Sequence, residues 1–157
     1  MITDVLLTVS GSNTPGNTPA ITGQAITATA VSTNTIDLGT ARDIGEGRDL
    51  FMVFTVVVGF AGTGNITMQV VTDDNAGLSS PTVIAATGAI TATSLTAGSQ
   101  YIVPIPPQVA SLGERYLGAQ YTCSASPTTG TFLTQIVTDI QDGRKYYASG
   151  FSVSNAI

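Results

Sequence analysis

"NITMQVVT", residues 65 to 72, decides the fold class. In an extended chain Ile66, Met68 and Val70 fall on one side, and Asn65, Thr67 and Gln69 on the other. That period of two is the mark of a half-buried strand. Working outward, "RYLGAQYTC" (115–123) puts Leu117, Ala119, Tyr121 and Cys123 on one face. "TFLTQIVTDI" (131–140) keeps Phe132, Ile136 and Ile140 in register. Further strands are expected over 4–9, 25–31, 34–38, 50–59, 82–86, 89–95 and 100–105. No stretch carries an apolar stripe of helical period. About eight to ten short antiparallel strands separated by Gly, Pro, Asn and Asp predict an all-β, two-sheet jelly-roll sandwich. "PIPP" (104–107) has three residues without an amide donor and must lie in a loop or on a sheet edge.

The run from Leu50 to Phe60 is different, because it is apolar without alternating. A strand that is apolar on both sides is expected to be covered on both sides. One side would face the core, and the other a loop, another subunit or a partner. The charged stretch just before it holds Arg42, Asp43, Glu46, Arg48 and Asp49, with signs mixed around Gly45 and Gly47. Such a loop reads either as a solvated surface with local ion pairs or as a patterned surface that pairs with a matching one. Mixed-charge complementarity sets register and specificity more than affinity.

The chain of 157 residues is read as one domain, long enough for a substantial core. Two segments stand apart from the rest. Residues 11–24 form a Gly/Thr/Pro-rich stretch, read as a surface loop or as an arm ordered by a partner. Residues 144–157 form a C-terminal arm whose Tyr146, Tyr147 and Phe151 strap it to its own domain or to a neighbour.

Charged residues make up 10% of the chain, against roughly 25% in ordinary soluble domains. Thr, Ser, Gly and Ala take their place. A lone soluble protein usually carries more charge, so this surface suits one that is docked on something. The net charge is −5, and only Arg42, Arg48, Arg115, Arg144 and Lys145 are basic. No nucleic-acid partner is expected, since such binding needs a basic patch to displace counterions. "MITDVLLTVS" has no basic stretch before its apolar residues and does not read as a signal peptide. No apolar run approaches the roughly 20 residues that span a bilayer, so no membrane partner is expected.

Chemistry is sparsely provided. The chain has no histidine, which removes the Ser-His-Asp and Cys-His arrangements and His-based zinc sites. Its single cysteine, Cys123, cannot form an internal disulfide and reads as a core residue. Asp73 and Asp74, in "TDDNAGLSSP", suit a turn in which carboxylates accept local amides. Calcium would need six to eight oxygens. A glycosidase pair of carboxylates would want an aromatic-lined cleft, and the chain has no Trp. No catalytic residue, metal site or cofactor is expected, and the chain is not read as an enzyme.

Four stretches carry a resemblance. They are "STNTIDLGTARDIGEGRDLFMVF" (32–54), "VTDDNAGLSSPTVI" (71–84), "GERYLGAQYTCSASPTTGTFLTQIVTDIQ" (113–141) and "YYASGFSV" (146–153). In this order and spacing they resemble the jelly-roll capsid cement proteins of short-tailed phages, the family typified by the Bordetella phage cement protein. The "GSNTPGNTPAITG" stretch and the final "NAI" depart from that pattern. The resemblance implies a structural decoration protein, made in the host cytoplasm and bound to the outer surface of the capsid. Its partner would be the major capsid protein, whose neighbouring capsomers it bridges. It would be a homo-oligomer, a dimer first and a trimer second. Arg42, Asp43, Glu46, Arg48, Asp49, Tyr146, Tyr147 and Phe151 are the candidate interface residues. The alternatives are a carbohydrate- or receptor-binding jelly roll, and a low-copy head-completion or tail protein.

Overall fold

The computed structural model describes residues 4–14, 20–44, 47–107 and 112–140. The strands are β1 (Thr8–Ser10), β2 (Ser12–Thr14), β3 (Ala20–Thr22), β4 (Gln24–Ala25), β5 (Ala30–Val31), β6 (Ile36–Asp37) and β7 (Leu50–Ala61), followed by β8 (Asn65–Asp73), β9 (Thr82–Ala86), β10 (Ile90–Thr91), β11 (Gln100–Ile105), β12 (Tyr116–Cys123) and β13 (Thr129–Val137). One sheet has the order β1-β13-β7-β11, with β4 sharing the β1 flank of β13. The other has the order β10-β8-β12-β5, with β9 also on β8 and β6 also on β12. Every pairing is antiparallel.

Counting each shared flank once leaves four positions per sheet. The pairs then nest along the chain. β1 and β4 lie on the last strand, β5 and β6 on the one before it, β7 on β11, and β8 on β9 and β10. That nesting of antiparallel pairs across two sheets is a jelly roll. The fold class is the expected one.

The outer strands are more broken than expected. The segment 25–31 divides, because Gln24 and Ala25 pair with β13 in one sheet while Ala30 and Val31 pair with β12 in the other. Ile26, at the crossing, is fully buried. The segment 4–9 opens with a 3-10 turn, Val5–Leu7, which Asp4 caps by accepting the Leu6 amide at 2.9 Å. The segment 89–95 ends in a second such turn, Ala92–Ser94. Within the stretch read as a loop, 11–24, the described residues include two short strands, β2 and β3, that pair antiparallel. Pro104 lies within β11, the edge strand of its sheet, where a missing donor is tolerated.

Ile66, Met68, Val70, Leu117, Ala119 and Tyr121 all enter the core as the alternation predicts. Cys123 is only half-buried at the core's margin, and Ile140 falls beyond β13 and is exposed. Four aromatics fill the centre. Tyr121 stacks on Phe132 with centroids 5.1 Å apart, Phe60 lies 4.7 Å from Phe132, and Phe54 meets both Tyr121 and Phe132 edge-on. A buried phenol needs partners. Tyr121 donates to Ser10 Oγ at 2.7 Å and shares a hydrogen bond with Thr134 Oγ1 at 2.6 Å. Phe60 reaches its place because Gly130, at φ 135°, leaves a gap where a Cβ would overlap the ring.

β7 settles the question raised by its unbroken apolar run. Met52, Phe54, Val56 and Phe60 belong to the core. Val53 points the other way, yet it is only 3% exposed, and Leu133 and Val137 of β13 are buried on that same outer face. Coverage of both faces holds there and fails further along, where Val58 is 49% exposed. The β7–β13 register slips at Thr131, and the Val58 amide bonds Thr131 Oγ1 instead of the ladder. Such a slip re-aims side chains.

Candidate functional site

Strand register decides which loops share an end of the sandwich. Asp37 and Asp73 both pair with Tyr116, Ile105 pairs with Leu50, and Val137 pairs with Phe51. The loops joining these strand ends therefore cluster together. They carry Asp37, Arg42, Asp43, Arg48, Asp49, Asp73, Asp74, Glu114, Arg115 and Asp139. Among the described residues, Asp4 is the one charged side chain outside those segments. The loops at the opposite end, 26–29, 62–64, 87–99 and 124–128, contain no charged residue.

The charged end is organised around Asp37. Arg115 donates to it twice, Nε to Oδ1 and Nη2 to Oδ2, each at 2.6 Å, and the Gly39 amide donates to Oδ1 at 2.7 Å. The Arg115 hydrogen bond, then that amide, hold the Asp37 carboxyl down to about 2. The Arg115 guanidinium also lies 5.2 Å from the centre of the Tyr116 ring, a cation–π distance.

Arg42 turns back to donate from Nε to the Leu38 carbonyl at 2.6 Å, and its Nη2 bonds the same oxygen. It thereby closes the start of the charged loop. The Ile44 amide bonds the Pro107 carbonyl at 3.0 Å, which ties the loop to the exit of β11. Asp43, Arg48 and Asp49 are exposed. Glu46, Tyr146, Tyr147 and Phe151 lie outside the described residues. Of the sequence-derived candidates, the structure thus brings Arg42, Asp43, Arg48 and Asp49 together on one loop.

A second loop at this end is built on Asp73. Its Oδ1 accepts the Asn75 amide at 3.0 Å and its Oδ2 the Ser80 amide at 2.8 Å. Burial alone would raise this carboxyl, but the Ser80 and Asn75 amides outweigh it and hold it below the usual carboxylate range. Asp74 is shifted upward by its hydrogen bond to Asp73 and by that neighbour's charge. This is the turn chemistry expected of "TDDNAGLSSP". The loop lays Leu78 over Gly118 on the outer face of β12, with Leu78 held at φ 49°. Glu114 accepts from Thr82 Oγ1 at 2.7 Å and from Thr72 Oγ1, so it clips β8 and β9 to the loop before β12.

Sequence reading missed Arg115 and Glu114. Arg115 lies 78 positions from Asp37, and Glu114 lies 32 from Thr82, so no local pattern pairs them. Among the described residues no three of His, Cys, Asp or Glu are grouped to hold a metal ion. Nor is any described helix long and apolar enough to cross a membrane.

Strand order and pairing place the chain among the jelly-roll β-sandwiches, and the loops of one end carry nearly all the charge of the described residues. The chain belongs to the Bbp16 family, whose sequence model matches residues 20–136. The family takes its name from a Bordetella phage protein, in agreement with the resemblance read from the sequence, and the chain is accordingly a phage structural protein. Comparison with curated proteins found no match.

Proposed function

We propose that the chain is a cement protein of a phage head. It binds the outside of the icosahedral shell as a homo-oligomer and bridges neighbouring capsomers of the major capsid protein. The observation that carries this reading is the family match over residues 20–136. The surface supports it. Charge is scarce on most of the protein, as suits a docked one. Where it is concentrated, it lies on loops whose backbones are pinned by Arg42, Asp37–Arg115 and Asp73. Pinned charges lose little entropy on docking and can set register against a complementary surface.

Arg42, Asp43, Arg48 and Asp49 are the residues assigned to that contact. The test is re-addition of purified protein to heads that lack it. Arg42→Ala/Arg48→Ala should weaken occupancy at low salt, with only a small fall in thermal midpoint from the lost Arg42–Leu38 hydrogen bonds, and Arg48→Ala alone should weaken it with the midpoint unchanged. Equal occupancy by the double variant would remove these residues from the interface. Failure of the wild type to bind such heads would overturn the reading as a whole.

A further inference from the structure

We propose that the free edge of β11 pairs, antiparallel and about a two-fold axis, with the same edge of a second copy of this chain. The pairing supplies the homo-oligomer of the cement reading above, and its use in bridging rests on that reading.

The two sheets of the sandwich end on β1 and β4, on β5 and β6, on β9 and β10, and on β11. A free edge is normally blunted by shortness, by a bulge or by charge. β1, β4, β5, β6 and β10 are two or three residues long, and the register of β9 slips against β8. β11 has none of these devices. It runs for six residues in unbroken register with β7 and carries no charged side chain. β9 of the other sheet lies near it but pairs with β8.

The ladder fixes which backbone groups of β11 face outward. The Val56 amide donates to the Ser99 carbonyl at 2.9 Å, and these two residues stand opposite each other in the register that pairs Gln100 with Thr55. Opposed residues of an antiparallel pair alternate between bonded and non-bonded. Tyr101, Val103 and Ile105 therefore bond to β7, and Gln100, Ile102 and Pro104 turn their backbone groups away from it. Pro104 thus lacks its donor on the side where β7 does not need one. The outward donors are the amides of Gln100 and Ile102. The outward acceptors are the carbonyls of Gln100, Ile102 and Pro104. Among the described residues no strand pairs with that side. The side chains of the same three residues are exposed, Ile102 at 38%.

A row of free amides and carbonyls takes an extended strand. This row is complementary to itself about Ile102. In that register the Ile102 amide donates to the carbonyl of Ile102 of the partner subunit, and the Gln100 amide to the carbonyl of Pro104 of the partner subunit. Every outward donor then has an acceptor, and the missing Pro104 donor leaves only the Gln100 carbonyl to water. Apolar side chains meet at the axis, and no like charges are set against each other. A two-fold contact of this kind closes with two copies. β11 runs from the uncharged end of the sandwich at Gln100 to the charged end at Ile105. Antiparallel pairing turns the two sandwiches end for end. The charged ends then lie at opposite extremes of the dimer, each open to a different capsomer.

The full chain, Ile102→Pro and Ile102→Lys would be compared by sedimentation equilibrium, with folding checked by circular dichroism. Proline removes an outward amide and no bond to β7, and lysine sets like charges across the axis. Wild type is expected as a dimer and both variants as folded monomers. Amide exchange at Gln100 and Ile102 should slow as wild-type concentration rises, while Tyr101 and Val103 stay protected at every concentration. On heads lacking the protein, Ile102→Lys should bind about tenfold or more weakly, because it offers one charged end instead of two.

A wild type that stays monomeric at every soluble concentration, or a dimer that survives both substitutions, would overturn the pairing. A monomer whose Gln100 and Ile102 amides become protected only on heads would name a strand of the shell protein as the occupant and overturn the second copy. Heads that fail to bind a wild type that is dimeric in solution would remove the cement reading and leave the pairing standing.

Discussion

At one end of the sandwich Asp37 is gripped by Arg115, Asp73 collects the amides of Asn75 and Ser80, and Glu114 ties Thr72 to Thr82. At the other, Phe60 lies over Gly130, and the loops carry only uncharged residues, mostly hydroxyl, glycine, alanine and apolar side chains. Both ends close the same two sheets. The first is ordered by directional, charge-assisted hydrogen bonds. The second is ordered by shape, with one ring filling the space left by one missing Cβ. Proton concentration and salt should therefore act on the first end, and changes of side-chain volume on the second.

The largest effect should come from the uncharged end. Gly130→Ala places a methyl group in the Phe60 ring and a side chain at φ 135°, and should cost about 3 kcal/mol or more in urea denaturation. A cost under about 1 kcal/mol would mean that shape does not order this end.

Between the ends, Tyr121→Phe leaves Ser10 and Thr134 short of a buried partner and should cost about 1–3 kcal/mol. Burial pushes the Tyr121 phenol up to about 12, whereas the unfolded chain ionises near 10. Its contribution is complete below about pH 10 and is lost as pH rises through about 12. The Phe variant should lack that alkaline loss, which thermal melts across this range would reveal.

At the charged end, Asp73→Ala should lower the melting temperature and open the 74–81 loop to proteases. Asp73→Asn, which keeps one acceptor, should do less. Identical melting of both variants and wild type would show that the carboxylate does not hold the loop.

The smallest effect belongs to Asp37. Its carboxyl is depressed to about 2 from the unfolded 3.8, so its contribution is present above about pH 4 and fades as pH falls through about 2. Asp37→Asn should melt below wild type at pH 5 and level with it near pH 2. High salt should narrow the gap, since the pair is half exposed. A gap independent of pH would assign the difference to packing.

Of the central strands, β8 and β12 were legible in the sequence because each has a core face written in period two, as at Ile66, Met68 and Val70, whereas β7 was legible only as an unbroken apolar run. The flanking strands were not. Residues 25–31 form two pairings with two sheets, and a segment of two paired residues is too short to show a period. The mixed-charge loop was visible as a run, but its convergence with Asp73, Glu114 and Arg115 was not. That convergence depends on which strand ends the register brings together. The β2–β3 pairing was hidden for a related reason: with both faces of β2 and β3 open to water, no apolar alternation marks them as strands.

A cement protein coats the whole head, whereas a head-completion or tail protein occupies a few positions. Quantitative mass spectrometry of purified particles would give its copy number relative to the major capsid protein. A ratio of one, or a simple fraction of one, is predicted for a cement protein that repeats with the lattice. A few copies per hundred capsid subunits, or absence from the particle, would contradict it.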